Sequence, residues 1–144
     1  MRQATTVGPA ADEQAGSTGT GTPGSDSPEA ITDFTGFTSP SGNVGCYIDP
    51  PGARCDISDR DWSPPPRPAD CEFDYGQGIS VSPGENATFV CAGDTALGGG
   101  QPLAYGRSIS AGVLVCDSAE SGITCRDTKT GHGFAIAREA YRVF

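Results

Sequence analysis

His132, in "GHGF", is the single histidine of the chain, so a base for a serine or cysteine nucleophile would have to be this residue. Asp94, Asp117 and Asp127 are the carboxylates that would complete an acid–base pair with it, the chemistry of a hydrolase. The serines offer no G-x-S-x-G elbow, and the glycines flanking His132 suit a tight backbone position. A structural or surface histidine is the favoured reading. "GDTALGGG" sets Asp94 before Thr95, but Ala96 stands where an aspartic-protease motif has glycine, and such enzymes need two carboxylates sharing a proton. An Asx-type turn, with Asp94 bonding backbone amides in a glycine-rich loop, is the better reading. "DISDRD" brings Asp56, Asp59 and Asp61 together, and calcium takes several carboxylate and carbonyl oxygens. The spacing is not D-x-D-x-D-G and Arg60 sits among the acids. A solvated acidic loop is therefore favoured, and no metal or other cofactor is expected.

Binding needs less than catalysis. Four motifs set an aromatic or polar side chain beside glycine: Tyr75 in "DYGQG", Asp94 in "GDT", Tyr105 in "LAYG" and His132 in "GHGF". Glycine lets a partner approach the backbone closely. Tyrosine offers rigid apolar area with a hydrogen-bonding tip, which suits interfaces and sugar rings. A binding surface at Tyr75, Asp94, Tyr105 and His132 requires the four to converge on one exposed face; the competing arrangement buries both rings in the core. "WSPPPRP", from Trp62 to Pro68, contains P-x-x-P, the pattern read by aromatic grooves. A stiff crossover over a sheet, with Trp62 packed beneath it, fits an extracellular chain better. "ENAT" makes Asn86 a formal glycosylation sequon, a match that carries little weight alone.

The elements that must position these residues are announced by the cysteines. "CYIDPPGARC" and "CDSAESGITC" share the pattern G-x3-C-x5-G-x2-C, with Gly42, Cys46, Gly52 and Cys55 matching Gly112, Cys116, Gly122 and Cys125. A chain that reverses midway brings such cysteines face to face, at the short end of disulfide geometry. Hairpin geometry therefore predicts Cys46–Cys55 and Cys116–Cys125, which leaves Cys71 with Cys91. Pro50 and Pro51 cannot take the positive φ of the tight hairpin turns, so the first turn is expected to be wider, or Pro51 cis. Zinc is the competing use of cysteine, but there is no C-x-x-C and His132 lies far from any paired ligand spacing. An oxidising compartment is the better reading.

The 144 residues carry a net charge of −9, which disfavours nucleic acid and anionic membrane surfaces alike. No run of about 18 apolar residues is present to span a membrane. Residues 1–31 are glycine, serine, threonine, proline and alanine with scattered acids, too poor in apolar side chains to offset the entropy of ordering them. They read as a disordered tether. Met1-Arg2-Gln3 leads straight into polar residues without a signal peptide, so Met1 is read as an addition made after a signal, lipid anchor or membrane helix was removed. Residues 32–144 hold about seven short runs rich in valine, isoleucine, phenylalanine and cysteine, separated by glycine, proline, aspartate and serine. The expected fold is all-β, a small disulfide-stapled antiparallel sandwich or barrel, with a possible short helix at "REAYRVF".

"FTSPSGNVGC", "ARCDI", "WSPPPRPADC", "DYGQG", "FVCAGDT", "LAYG", "GITC" and "GHGFAIAREAYRVF" follow one another between Phe37 and Phe144. In this order they resemble a family of small secreted or lipid-anchored domains of actinobacteria. The resemblance implies a cell-envelope location behind a low-complexity tether and supplies no catalytic residues. The leading expectation is a non-catalytic extracytoplasmic module that binds a protein or glycan partner of the envelope. The alternatives are an envelope-acting hydrolase built on His132 and a secreted protease inhibitor, whose sign would be an extended, exposed loop flanked by a disulfide.

Overall fold

The computed structural model describes residues 28–144. Short runs of alternating exposure make twelve strands: β1 (Glu29–Ala30), β2 (Thr35–Thr38), β3 (Val44–Asp49), β4 (Gly52–Ile57), β5 (Tyr75–Val81), β6 (Thr88–Cys91), β7 (Gln101–Pro102), β8 (Ser108–Ala111), β9 (Leu114–Ala119), β10 (Gly122–Asp127), β11 (Gly133–Ile136) and β12 (Tyr141–Val143). In β10, for example, Ile123, Cys125 and Asp127 turn inward while Thr124 and Arg126 turn out. Two six-stranded sheets result, ordered β1-β8-β9-β10-β11-β12 and β6-β5-β4-β3-β2-β7. They pack face to face as a sandwich and do not close into a barrel.

The two sheets are copies of one unit. Phe37 lies opposite Cys46 in the first and Ile109 opposite Cys116 in the second. Cys46 faces Cys55, and Cys116 faces Cys125, directly across β3–β4 and β9–β10. Ile79 and Phe134 are the next partners along, on β5 and β11. The correspondence extends to the edges. β1 lies parallel to β8, with Glu29 opposite Ile109, and β7 lies parallel to β2, with Gln101 opposite Phe37. Ile31 N–H then donates to Ser110 O at 2.8 Å, as Leu103 N–H donates to Thr38 O at 2.8 Å. Each half lends its first strand to the sheet of the other. The exchange shields one edge of each sheet, whose backbone groups would otherwise stay open.

Three expectations need correction here. The sheets are mixed rather than purely antiparallel, because the exchanged edge strands run parallel. Glu29, Ala30 and Ile31 belong to the domain rather than to a tether ending at 31: β1 pairs with β8 and Ile31 packs against the core. Residues 1–27 of that tether lie outside the described residues. "REAYRVF" holds no helix. A segment this short cannot recover the cost of helix nucleation, whereas the edge of β11 offers ready partners: Gly133 and Phe144 exchange two backbone hydrogen bonds, at 2.9 and 3.0 Å.

Three disulfides join Cys46 to Cys55, Cys71 to Cys91, and Cys116 to Cys125. The first hairpin turns on Pro50–Pro51 alone, with Asp49 opposite Gly52 and no cis peptide among the described residues. The turn is thus neither wide nor cis; the six-pair ladder and the bridge three residues from the turn on each strand outweigh its local preference. The two hairpin disulfides meet at the centre of the sandwich, Cys55 Sγ lying 3.8 Å from Cys125 Sγ. Ile48, Ile79, Leu114, Ile123, Phe134 and Ile136 surround them, all fully buried. Cys91 is exposed instead. Thiol exchange needs access to a sulfur. Mild reductant is therefore expected to open Cys71–Cys91 first, with the two central bridges reduced only as the whole domain unfolds. Peptide mapping after timed alkylation checks this; simultaneous loss of all three bridges under native conditions would contradict it.

Candidate functional site

After β6 the glycine-rich segment 92–100 crosses the outer face of its sheet, from the β6 edge to β7. Every strand beneath it is shaped to hold it. Gln77 of β5 donates Nε2–H to Ala92 O at 3.0 Å and to Asp94 O at 3.4 Å. Arg54 of β4 donates to the Asp94 carboxylate at 2.9 Å and to Asp94 O at 3.0 Å. Gly45 of β3 sits against the backbone of Ala96 and Leu97, and Gly36 of β2 against Gly99 and Gly100.

Arg54 and Asp56 flank the inward-facing Cys55, so both point to the outer face, yet the strap leaves them 6% and 0% exposed. Arg54 grips Asp56 with two parallel bonds, Nε to Oδ1 at 3.0 Å and Nη2 to Oδ2 at 2.8 Å. Ala96 N–H and Thr95 Oγ1–H complete the Asp56 Oδ2 shell at 3.0 and 3.3 Å. Burial works against the charged guanidinium, but its bonds to Asp56 and Asp94 outweigh that and raise its pKa. The same bond from Arg54 holds the Asp94 carboxyl below its ordinary range.

Beside this network lies an open depression of about 630 Å³. Tyr75 and Gln77 come from β5, Gly93, Asp94 and Thr95 from the strap, and Arg60, Arg67 and Asp74 from the β4–β5 connection. The Cys71–Cys91 bridge ties that connection to the start of the strap. The connection is held further by Pro64 packing over Gly76 and by Arg60 bonding Gly76 O while lying 4.9 Å over the Trp62 ring. Trp62 packs on Tyr141 of β12 and Phe89 of β6, and its Nε1–H reaches Ala137 O at 2.8 Å, so this ring joins the two sheets. Gln77 Oε1 is buried with no partner, and because both neighbours of Nε2 are carbonyls, turning the amide over would not relieve it.

A family described as "Family of unknown function (DUF6636)" matches residues 25–144. The chain belongs to the DUF6636 family. The match takes in both sheets of the DUF6636 sandwich and every residue of the depression. No curated protein and no solved structure matches the chain.

Of the four residues singled out in the DUF6636 sequence, Tyr75 and Asp94 meet in the depression. Tyr105, 49% exposed, lines a separate depression of about 410 Å³ with Asn43, Asp59 and Glu120. His132 follows β10 on the other sheet and lines neither, so the four do not share one face. The acid–base pair of a hydrolase is not assembled either. Asp94 binds Arg54, and Asp117 binds Ser108 and Arg126. Asp127 accepts Gly84 N–H and Lys129 N–H, each at 2.8 Å, and these amides lower its pKa. Among the described residues the His132 ring bonds none of them.

Other expectations shift for the same reason, that the strap covers the outer face. Asp56 is a buried partner of Arg54 and not part of a solvated loop. Asp94 makes an ion pair rather than an Asx turn, and the local cap on this loop is Thr95 Oγ1, which accepts Leu97 N–H at 3.0 Å. The segment before Cys71 folds back as a turn, Cys71 N–H reaching Pro68 O at 3.1 Å and Arg67 Nε–H reaching Cys71 O at 3.0 Å.

Gln77, Arg60 and Arg67 were not marked by motif. A signal for Gln77 was present: "GQGISV" and "GHGFAI" are the same strand in the two copies, so Gln77 and His132 are equivalent positions. The copies differ in that one of these positions faces the strap.

Proposed function

We propose that this chain is an extracellular, non-catalytic module that binds a glycan or protein partner through the depression around Tyr75, Gln77 and Asp94. The observation that carries the reading is the depression itself, where Tyr75 stands with Arg60 and Arg67, neither of them paired with a carboxylate among the described residues. The site stands on a bridged, strapped sheet, so little ordering entropy opposes binding. Three disulfides with no free cysteine fit an extracellular domain. No helix among the described residues is long and apolar enough to cross a membrane. The resemblance to small actinobacterial envelope domains favours a partner in the cell envelope.

Immobilised protein challenged with envelope polysaccharide and protein fractions tests this. Tyr75→Ala is expected to lose retention of the bound fraction, and Tyr105→Ala, in the other depression, to keep it. Melting temperatures within about 4–8 °C of the parent, roughly 1 kcal/mol in a small domain, show that neither change acts through unfolding. Equal retention by both variants would overturn the assignment.

A further inference from the structure

We infer that the depression at Tyr75 takes a carboxylated saccharide, a reading that rests on the binding role proposed above. The first argument is charge. In a chain of net charge −9, the arginines Arg54, Arg126 and Arg138 are paired with carboxylates among the described residues. Arg60 and Arg67 are not; each bonds a backbone carbonyl, of Gly76 and Cys71, and both line this one depression. A guanidinium has five N–H donors in a planar fork that matches an oxyanion. Two such forks with donors to spare offset Asp74 and Asp94 and leave the lining formally neutral in a protein of net charge −9.

The second argument is the surplus of acceptors beside those forks. The Asp94 side chain is 76% exposed and engages Arg54 through one oxygen, and Asp74 adds a second carboxylate to the lining. Acceptors of this kind are matched by a ligand that donates several O–H groups. Flat apolar surface is the third feature. Tyr75 lines the depression, and Phe73, 61% exposed, lies beside Gly93 of the same lining. Aromatic faces of this kind stack on the C–H face of a pyranose ring. One anionic group, several hydroxyls and a flat apolar face together describe a sugar acid. A peptide C-terminus supplies the carboxylate without the run of hydroxyl donors.

The test titrates the full chain by calorimetry or amide NMR with an oligomer of galacturonic acid, the neutral galactose oligomer of equal length, and inorganic phosphate. The uronic-acid oligomer is expected to bind saturably, more weakly as salt is raised, and with shifts confined to residues of the depression. Arg67→Ala, an exposed position, is expected to weaken it about tenfold or more, the loss of one charge-assisted fork, with Arg67→Lys intermediate and Arg107→Ala unchanged. Equal binding of the neutral oligomer would overturn the acidic specificity while leaving the glycan reading intact. Phosphate binding as tightly as the uronic acid would show an anion site with no sugar recognition and overturn the inference. Failure of both saccharides would overturn it too. In that case, Tyr75-dependent retention of an envelope protein would still uphold the broader binding role.

Discussion

Arg54→Met is expected to destabilise the domain by about 3–5 kcal/mol, because it leaves the Asp56 carboxylate buried without its counter-charge. The native pair takes two parallel bonds, and the Arg54 guanidinium also reaches Asp94 at the start of the strap. Removing Arg54 leaves Asp56 with Thr95 Oγ1–H and Ala96 N–H alone, and it unfastens the strap from β4. A loss of this size is a large share of the ~5–15 kcal/mol that separates folded from unfolded chains. Urea unfolding monitored by Trp62 fluorescence checks it. A second change decides the mechanism. In the Arg54→Met background, Asp56→Leu removes the stranded charge and is expected to return part of the loss, as buried ion pairs replaced whole often are. If the double variant is less stable than Arg54→Met alone, the cost lies in the strap contacts rather than in the unpaired carboxylate. Asp94→Asn, at a position open to solvent, is expected to matter far less.

Gly78→Ala and Gly133→Ala are expected to damage the fold together, each by about 3 kcal/mol or more, at the upper end of overpacking or beyond it. The two glycines are equivalent in the repeated unit. Gly78 lies opposite Asp56, and Gly133 opposite Arg126, each one residue past a central half-cystine. A Cβ at Gly78 would overlap the carbonyl oxygen of Cys55 and the Asp56 carboxylate; at Gly133 it would overlap the carbonyl oxygen of Cys125. The two carbonyl oxygens belong to the backbone ladder that carries the buried bridges, so no side-chain rotation relieves the clash with them. Gly99, with nothing in the way of a Cβ and no left-handed φ, is the control, and Gly99→Ala is expected to stay within about 0.5 kcal/mol. Thermal unfolding of the three variants measures the contrast. A neutral Gly133→Ala would mean that the two sheets do not approach their cystines alike.

Tertiary placement explains why some positions were legible and others were not. The hairpin cystines were legible because equal spacing about a turn is a local property of a strand pair, and the β class followed from short apolar runs between turn residues. The candidate site was half legible. Tyr75 and Asp94 stood out beside glycine, and the fold brings them together. Tyr105 and His132 stood out by the same signal and lie elsewhere, because a glycine beside a polar residue marks a tight backbone and says nothing of which face it serves. Asp56 looked like one of three solvated acids; two residues away, Arg54 was its partner, but the strap that dries the pair comes from residues 92–100, about forty positions along.

The sequence by itself determined the strand-rich class, the acidic surface and a pairing of cysteines across two like hairpins, since each follows from composition or from contacts a few residues apart. Only the tertiary structure decided that the hairpins stack cystine on cystine, that β1 and β7 change places between sheets, and that a glycine-rich strap crosses four strands to bury Arg54 and Asp56. It alone set Arg60 and Arg67 beside Gln77 and Tyr75. These are contacts between distant segments. Their energy comes from desolvation and close packing, which exist only once both partners are in place, and no local pattern of residue types encodes them.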